Sequence, residues 1–164
     1  MAVPPRQPQV NEVSILAGSP GSRWPGVSDP WHIVGAMATW DDVDRIALGL
    51  PEVAAGGRDL REWRVKGKPM VWERPLRRAD LEALGDAAPT GPILGARVPD
   101  LGAKEALLAD DPEVYFTTPH FDGYPAVLVR LEHIAPPELE ELIVEAWLKQ
   151  APKRLAAEFL RDRP

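Results

Sequence analysis

Cysteine is absent from the 164 residues, which excludes disulfides, thiolate metal sites and thiol nucleophiles together. Histidine is scarce. The three copies, at positions 32, 120 and 133, are too few and too scattered for a metal motif. No apolar run approaches the ~18 residues of a membrane span. Prolines and polar residues interrupt the N-terminus before the apolar core of a signal peptide forms. H-E-x-x-H, a Walker phosphate loop and G-x-S-x-G are missing, and Gly56-Gly57 is followed by no phosphate-loop pattern. The expectation is a cytoplasmic protein with no catalytic residues, no cofactor, no metal and no membrane partner.

What is present is charge, unevenly spread. The net charge of −6, from 25 acidic and 19 basic residues, opposes general binding to polyanions. Yet residues 58–78 hold eight basic and three acidic side chains, whereas residues 79–146 hold three basic and fourteen acidic ones. One basic segment sits in an acidic protein.

Texture divides the chain at residue 37. Six prolines and four glycines fall within residues 1–36, and no apolar period lasts there, so this stretch buries too little to offset the entropy of ordering. It is read as a disordered extension, or as a mistranslated one with Met37 the true start. Residues 37–164 read as one domain. Thr39 is an N-cap, with Asp41, Asp42 and Asp44 in the first turn. Val43, Ile46, Ala47 and Leu50 form one helical face, ended by Gly49 and Pro51. Alternation over 62–74 predicts a β-hairpin, with Trp63 and Val65 inward, Arg64 and Lys66 outward, and the turn at Gly67-Lys68-Pro69. A short helix over 78–84 stops at Gly85. A strand over 92–98 precedes a helix over 101–109, capped by Asp100 and apolar along Leu101, Leu107 and Leu108. Strands follow over 114–118 and 125–134. Pro136 and Pro137 then start a helix whose stripe is Leu139, Leu142, Ile143, Ala146 and Trp147, and Pro152 breaks it to begin another. This order predicts an α+β fold: a compact single domain, with a largely antiparallel sheet, an N-terminal helix and a C-terminal helix pair.

Two segments invite a functional reading. Arg64, Lys66 and Lys68 project from the basic hairpin, a geometry that suits weak, non-specific contacts to a DNA phosphate backbone. Trp63 and Trp72 offer rings for stacking, although period-2 placement reads them as core. The second segment is the inter-strand loop carrying Thr117, Thr118, His120, Asp122 and Tyr124. It presents hydroxyls, an imidazole, a carboxylate and a phenol where binding groups collect, for a small ligand or a protein partner. The same loop has a structural reading, with Asp122-Gly123 as turn chemistry and Phe121 and Tyr124 over the core edge. Asp110-Asp111 reads as a helix end rather than a cation site. An enzyme is the third reading, since no nucleophile–base pair is evident.

The run Tyr115-Phe116-Thr117-Thr118-Pro119-His120-Phe121-Asp122-Gly123-Tyr124-Pro125-Ala126-Val127-Leu128-Val129-Arg130-Leu131 resembles the signature of the MmcQ/YjbR family. Thr39-Trp40-Asp41-Asp42-Val43 with Ala47-Leu48-Gly49-Leu50-Pro51-Glu52 resembles its N-terminus, and Glu145-Ala146-Trp147 with Ala151-Pro152-Lys153-Arg154-Leu155 its C-terminal helices. The likeness runs from about residue 37 to 160. It implies a CyaY-like or "double wing" α+β fold and a DNA-binding role that rests on fold analogy. It brings no catalytic residues.

Because no periodic apolar face ties residues 1–36 to the domain, a chain beginning at Met37 is expected to melt within a few degrees of the full chain. A larger drop in calorimetry would mean that the domain boundary is misplaced.

Overall fold

The structure, a computed structural model, describes residues 37–163; the extension read over residues 1–36 lies outside the described residues. Helix α1 (Trp40–Leu48) begins with a capping box: the Thr39 hydroxyl accepts from the Asp42 N–H, and the Asp42 carboxylate accepts from the Thr39 N–H. Six strands follow: β1 (Val53–Gly56), β2 (Glu62–Val65), β3 (Lys68–Glu73), β4 (Ile93–Arg97), β5 (Tyr115–Phe116) and β6 (Ala126–Arg130). They form one sheet in the order β1-β2-β3-β4-β6-β5, antiparallel at every pairing. Helices α2 (Arg78–Leu84) and α3 (Leu101–Asp110) interrupt the strands, and α4 (Pro136–Gln150) and α5 (Lys153–Asp162) close the chain. The fold is α+β, with the N-terminal helix and the C-terminal helix pair that the sequence predicts.

Helix α4 lies across β3 and β4 and packs on α1. Its stripe Leu139, Leu142, Ile143, Ala146 and Trp147 is buried together with Val43, Ile46 and Ala47 of α1 and with Trp63, Val71, Ala96 and Val127 of the sheet. Trp147 is 0% exposed. Its indole N–H donates to the Pro51 carbonyl at 2.9 Å, and its ring centroid lies 4.7 Å from that of Phe159 on α5. Across the sheet, a smaller cluster of Ile93, Phe116, Phe121, Ala126 and Leu128 forms the second face.

Several elements depart from the sequence reading. Strand β1 has no counterpart there, because Ala54, Ala55 and Gly56 are all exposed and carry no alternation. The hairpin turn is Lys66-Gly67, both in the left-handed region at φ 50° and 84°, the backbone that a tight two-residue hairpin needs. Lys68 and Pro69 therefore belong to β3. Strands β5 and β6 are shorter than their sequence pattern predicts; Leu131–His133 forms a 3-10 turn within the stretch 125–134. In α3, Leu101 faces solvent instead of the core, and the residue buried there is Lys104.

The most consequential departure is a bulge. A two-residue turn with Val65 opposite Lys68 and Arg64 opposite Pro69 would set Trp63 opposite Met70. Instead the register shifts, and Trp63 faces Val71. One extra residue in β3 reverses the facing of all that follow. Met70 and Val71 are both buried, and Trp72 crosses to the face opposite Trp63.

Truncating Trp147 to Ala is expected to cost about 3–5 kcal/mol, a large part of the ~5–15 kcal/mol by which a domain is stable. Urea melts that place Trp147→Ala at the wild-type midpoint would show that α4 is not the element holding this face.

Candidate functional site

Strand register lays out the second face row by row. Glu62, Trp72, Gly95, Leu128 and Phe116 lie side by side across β2, β3, β4, β6 and β5. Arg64 and Arg97 stand two residues along from Glu62 and Gly95, hence on the same face. Toward β1 this face is open, with Ala54, Gly56 and Arg64 all exposed. Toward β5 it is covered by α2 and by the loop containing the 3-10 turn Pro119–Phe121.

Trp72 is half-buried at the boundary between the open and covered parts. Its indole lies on the backbone of Gly95, where an added Cβ would stand 2.5 Å from Cε2 and Nε1. Glycine is required here by that close approach. The Arg97 guanidinium sits 5.9 Å from the Trp72 ring centroid, within cation–π range, and its Nε is buried without a hydrogen-bond partner among the described residues. Phe121 follows at 6.5 Å from Trp72, with His120 edge-on to it at 4.8 Å and Tyr124 at 6.5 Å. The hairpin and the loop, separate segments in the sequence, are thus joined through the Trp72–Phe121 contact.

The loop is held from beneath by charged groups. Lys104, 5% exposed, reaches from α3 to donate to the carbonyls of Phe121 at 2.6 Å and Tyr124 at 3.0 Å. Burial pushes its ammonium below the usual lysine range, and the nearby Asp122 carboxylate opposes that shift. Arg74 and Asp80 form an ion pair at 3.0 Å with both side chains almost fully buried. The Arg74 guanidinium also lies 5.3 Å from the Phe121 ring centroid. Hence Phe121 is fixed by a lysine at its carbonyl and an arginine at its ring. Neither strut is evident from sequence, where both residues read as surface charges; the one hint of Lys104 is a lysine on the apolar side of a short helix.

The predicted site residues divide accordingly. His120, Asp122 and Tyr124 are exposed, Thr117 is half-buried, and Thr118 is 2% exposed and so withdrawn from any ligand. His120 makes no hydrogen bond to Asp122; its ring contact is Phe121. Arg64, Lys66 and Lys68 are exposed at the end of the hairpin. The eight cations of 58–78 do not gather, however. Arg61 pairs with Glu73, Arg64 with Glu62, Lys66 with Glu52, Arg74 with Asp80 and Arg78 with Glu82. Arg64 also donates to the Gly67 carbonyl at 2.9 Å.

Elsewhere, an open pocket of about 210 Å³ is bordered by Thr90, Gly91, Arg130, Glu132 and His133. Arg130 is turned to the Pro112 and Ala87 carbonyls and His133 to that of Glu113. Asp110 ends α3 and Asp111 is its C-cap. Among the described residues, no three His, Cys, Asp or Glu side chains converge as a metal set, and no helix is long and apolar enough to cross a membrane.

The Arg74–Asp80 pair has a pH signature. Burial pushes the Asp80 carboxyl up, but the Arg77 backbone N–H and the Arg74 guanidinium outweigh it and hold the group below its ordinary 3.8. A carboxyl with a lowered folded-state pKa contributes stability that is complete above 3.8 and is lost as pH falls through the folded value. Asp80→Asn leaves Arg74 as a buried charge without its counterion, a loss of about 3–5 kcal/mol near neutral pH. Denaturant melts across pH should show the gap to wild type narrowing in the acid range. A constant gap down to the lowest pH would mean that the carboxylate charge is not what stabilises this corner.

No family model matches the chain. It is similar to the uncharacterized proteins Rv2570 of Mycobacterium tuberculosis and Mb2600 of Mycobacterium bovis, each 61% identical over 129 residues that span 77% of this chain and 98% of the relative. Among solved structures it is similar to the crystal structure of Deinococcus radiodurans protein DR2400, a DUF419 domain. The TM-score is 0.52 at 19% identity, over 68% of this chain and 78% of that one, which is a likeness of fold. With 61% identity across nearly the whole of each mycobacterial relative, the chain belongs to the family that these proteins define.

Proposed function

We propose that this chain is an MmcQ/YjbR-type protein that works as a binding module rather than an enzyme, and that it holds DNA weakly and without sequence selection across the open sheet face and the adjoining hairpin. The observation that carries this reading is the placement of exposed Arg64 and half-buried Arg97 and Trp72 on one face of β2–β4, which the described residues cover only in part, next to Lys66 and Lys68 at the turn. Cations beside a partly exposed aromatic ring are the elements of a nucleic-acid surface. The motif likeness and the DUF419 fold neighbour support the family assignment.

Two features limit affinity. The net charge of −6 sets a repulsive background, and Glu62 and Glu52 compete with phosphate for Arg64 and Lys66. Binding is therefore weak, micromolar or poorer at physiological salt. The Lys104-braced loop supports a second reading of the same region, in which His120, Asp122 and Tyr124 contact a small ligand or a protein.

Fluorescence anisotropy with labelled DNA at two low salt concentrations separates these readings. Changing Arg64, Lys66 and Lys68 to Ala is expected to weaken binding to every sequence alike. It should also flatten the log affinity–log salt slope by about 0.9 for each duplex phosphate that is no longer neutralised. Changing Glu52 and Glu62 to Gln should act oppositely and tighten binding, because it releases Lys66 and Arg64. Absence of salt-dependent binding by the wild-type chain even at low ionic strength would remove the DNA reading and leave the loop as the leading site.

A further inference from the structure

Resting on the nucleic-acid reading above, we infer that Trp72 and Arg97 form a seat for one unpaired nucleotide, so that this protein prefers single strands to duplex. Arg97 differs from several other arginines of the domain. Arg61, Arg64, Arg74 and Arg78 each have a carboxylate within 4.0 Å, whereas the Arg97 side chain makes no ion pair and no hydrogen bond among the described residues. Its one contact of this kind is with the Trp72 ring. A half-buried guanidinium without a counterion, in an acidic protein, is matched to an anion from outside.

Trp72 supplies the other half of the seat. The bulge in β3 carries it out of the core, and Gly95 lets the indole settle on the sheet without a side chain beneath it. Its indole N–H has no partner among the described residues, unlike those of Trp63 and Trp147, which donate to Asp44 and Pro51. The ring thus lies under the Arg97 guanidinium, with an N–H that has no partner among the described residues and part of its surface in solvent. A base that is stacked in a duplex has no face left for such a ring, while a base in a single strand has one. Phosphate on Arg97 with its base against Trp72 satisfies both groups at once.

The probe is labelled oligothymidylate of about 12 nucleotides, within the usual site size of a stacking surface, compared with a duplex of equal length by anisotropy at low salt. The wild-type chain should bind the single strand about tenfold or more tightly than the duplex. Trp72→Leu, which keeps apolar bulk but removes the π face, should weaken single-strand binding about tenfold and duplex binding by much less. Trp72→Phe should retain most of the affinity. Arg97→Gln removes a side chain that makes no hydrogen bond among the described residues and should flatten the single-strand salt slope by about 0.7. Melting curves accompany each variant; if Trp72→Leu fails to fold, the wild-type strand preference and Arg97→Gln decide. Equal affinity for duplex and single strand, or a folded Trp72→Leu or Arg97→Gln protein that binds like wild type, overturns the seat while leaving the DNA reading in place. Absence of salt-dependent binding to either probe instead defeats the DNA reading itself.

Discussion

Everything in this domain follows from helix cover being concentrated on one side of a six-stranded sheet. Helix α4 spans β3 and β4 and also holds α1, with Trp147 at the junction donating to Pro51. That face is sealed by long amphipathic surface. Among the described residues, the other face has only the seven-residue α2 and the loop before β6 to cover it, and these reach no further than Trp72. The uncovered remainder of the sheet is thus a product of helix length and connectivity, and its side chains are shaped by water on one side and backbone on the other.

The sealed side is readable in the sequence because its signals are local and mutually consistent. A Thr39 cap, a stripe in α1, a stripe in α4 and a proline at the start of each C-terminal helix all agree on the same core. The open side is not readable, for an identifiable reason. Strand alternation assigns Trp72 to the core only if the hairpin is regular, and the extra residue at Met70 breaks that regularity. A bulge leaves no mark on composition. Strand β1 escapes for a related reason, since a short edge strand with exposed small residues has no periodicity to detect.

The loop before β6 is legible as a place where polar groups collect, but not as a braced object. Lys104 stands seventeen residues before the Phe121 carbonyl that it holds, and Arg74 and Asp80 lie further upstream still, on the other side of β4 and α3 in the chain. Such contacts depend on tertiary placement, and buried charges of this kind are retained at a desolvation cost of several kcal/mol per ion. Their effect is to fix a surface loop in one shape. The basic hairpin shows the converse: a charge run conspicuous in the sequence is dispersed once Glu52, Glu62 and Glu73 are in place as partners.

The indole of Trp72 resting on Gly95 makes these two positions a single unit of variation. At position 95 even a methyl group would stand 2.5 Å from the ring, so the glycine holds only while the tryptophan does. A lineage that replaced Trp72 by a small residue would find position 95 released, and one that first enlarged position 95 would expel the ring. The two sites lie on adjacent strands and 23 residues apart in the chain, yet neither can drift alone. Their identities should change together or stay fixed together, a paired pattern among descendants that reports whether the platform itself has been kept.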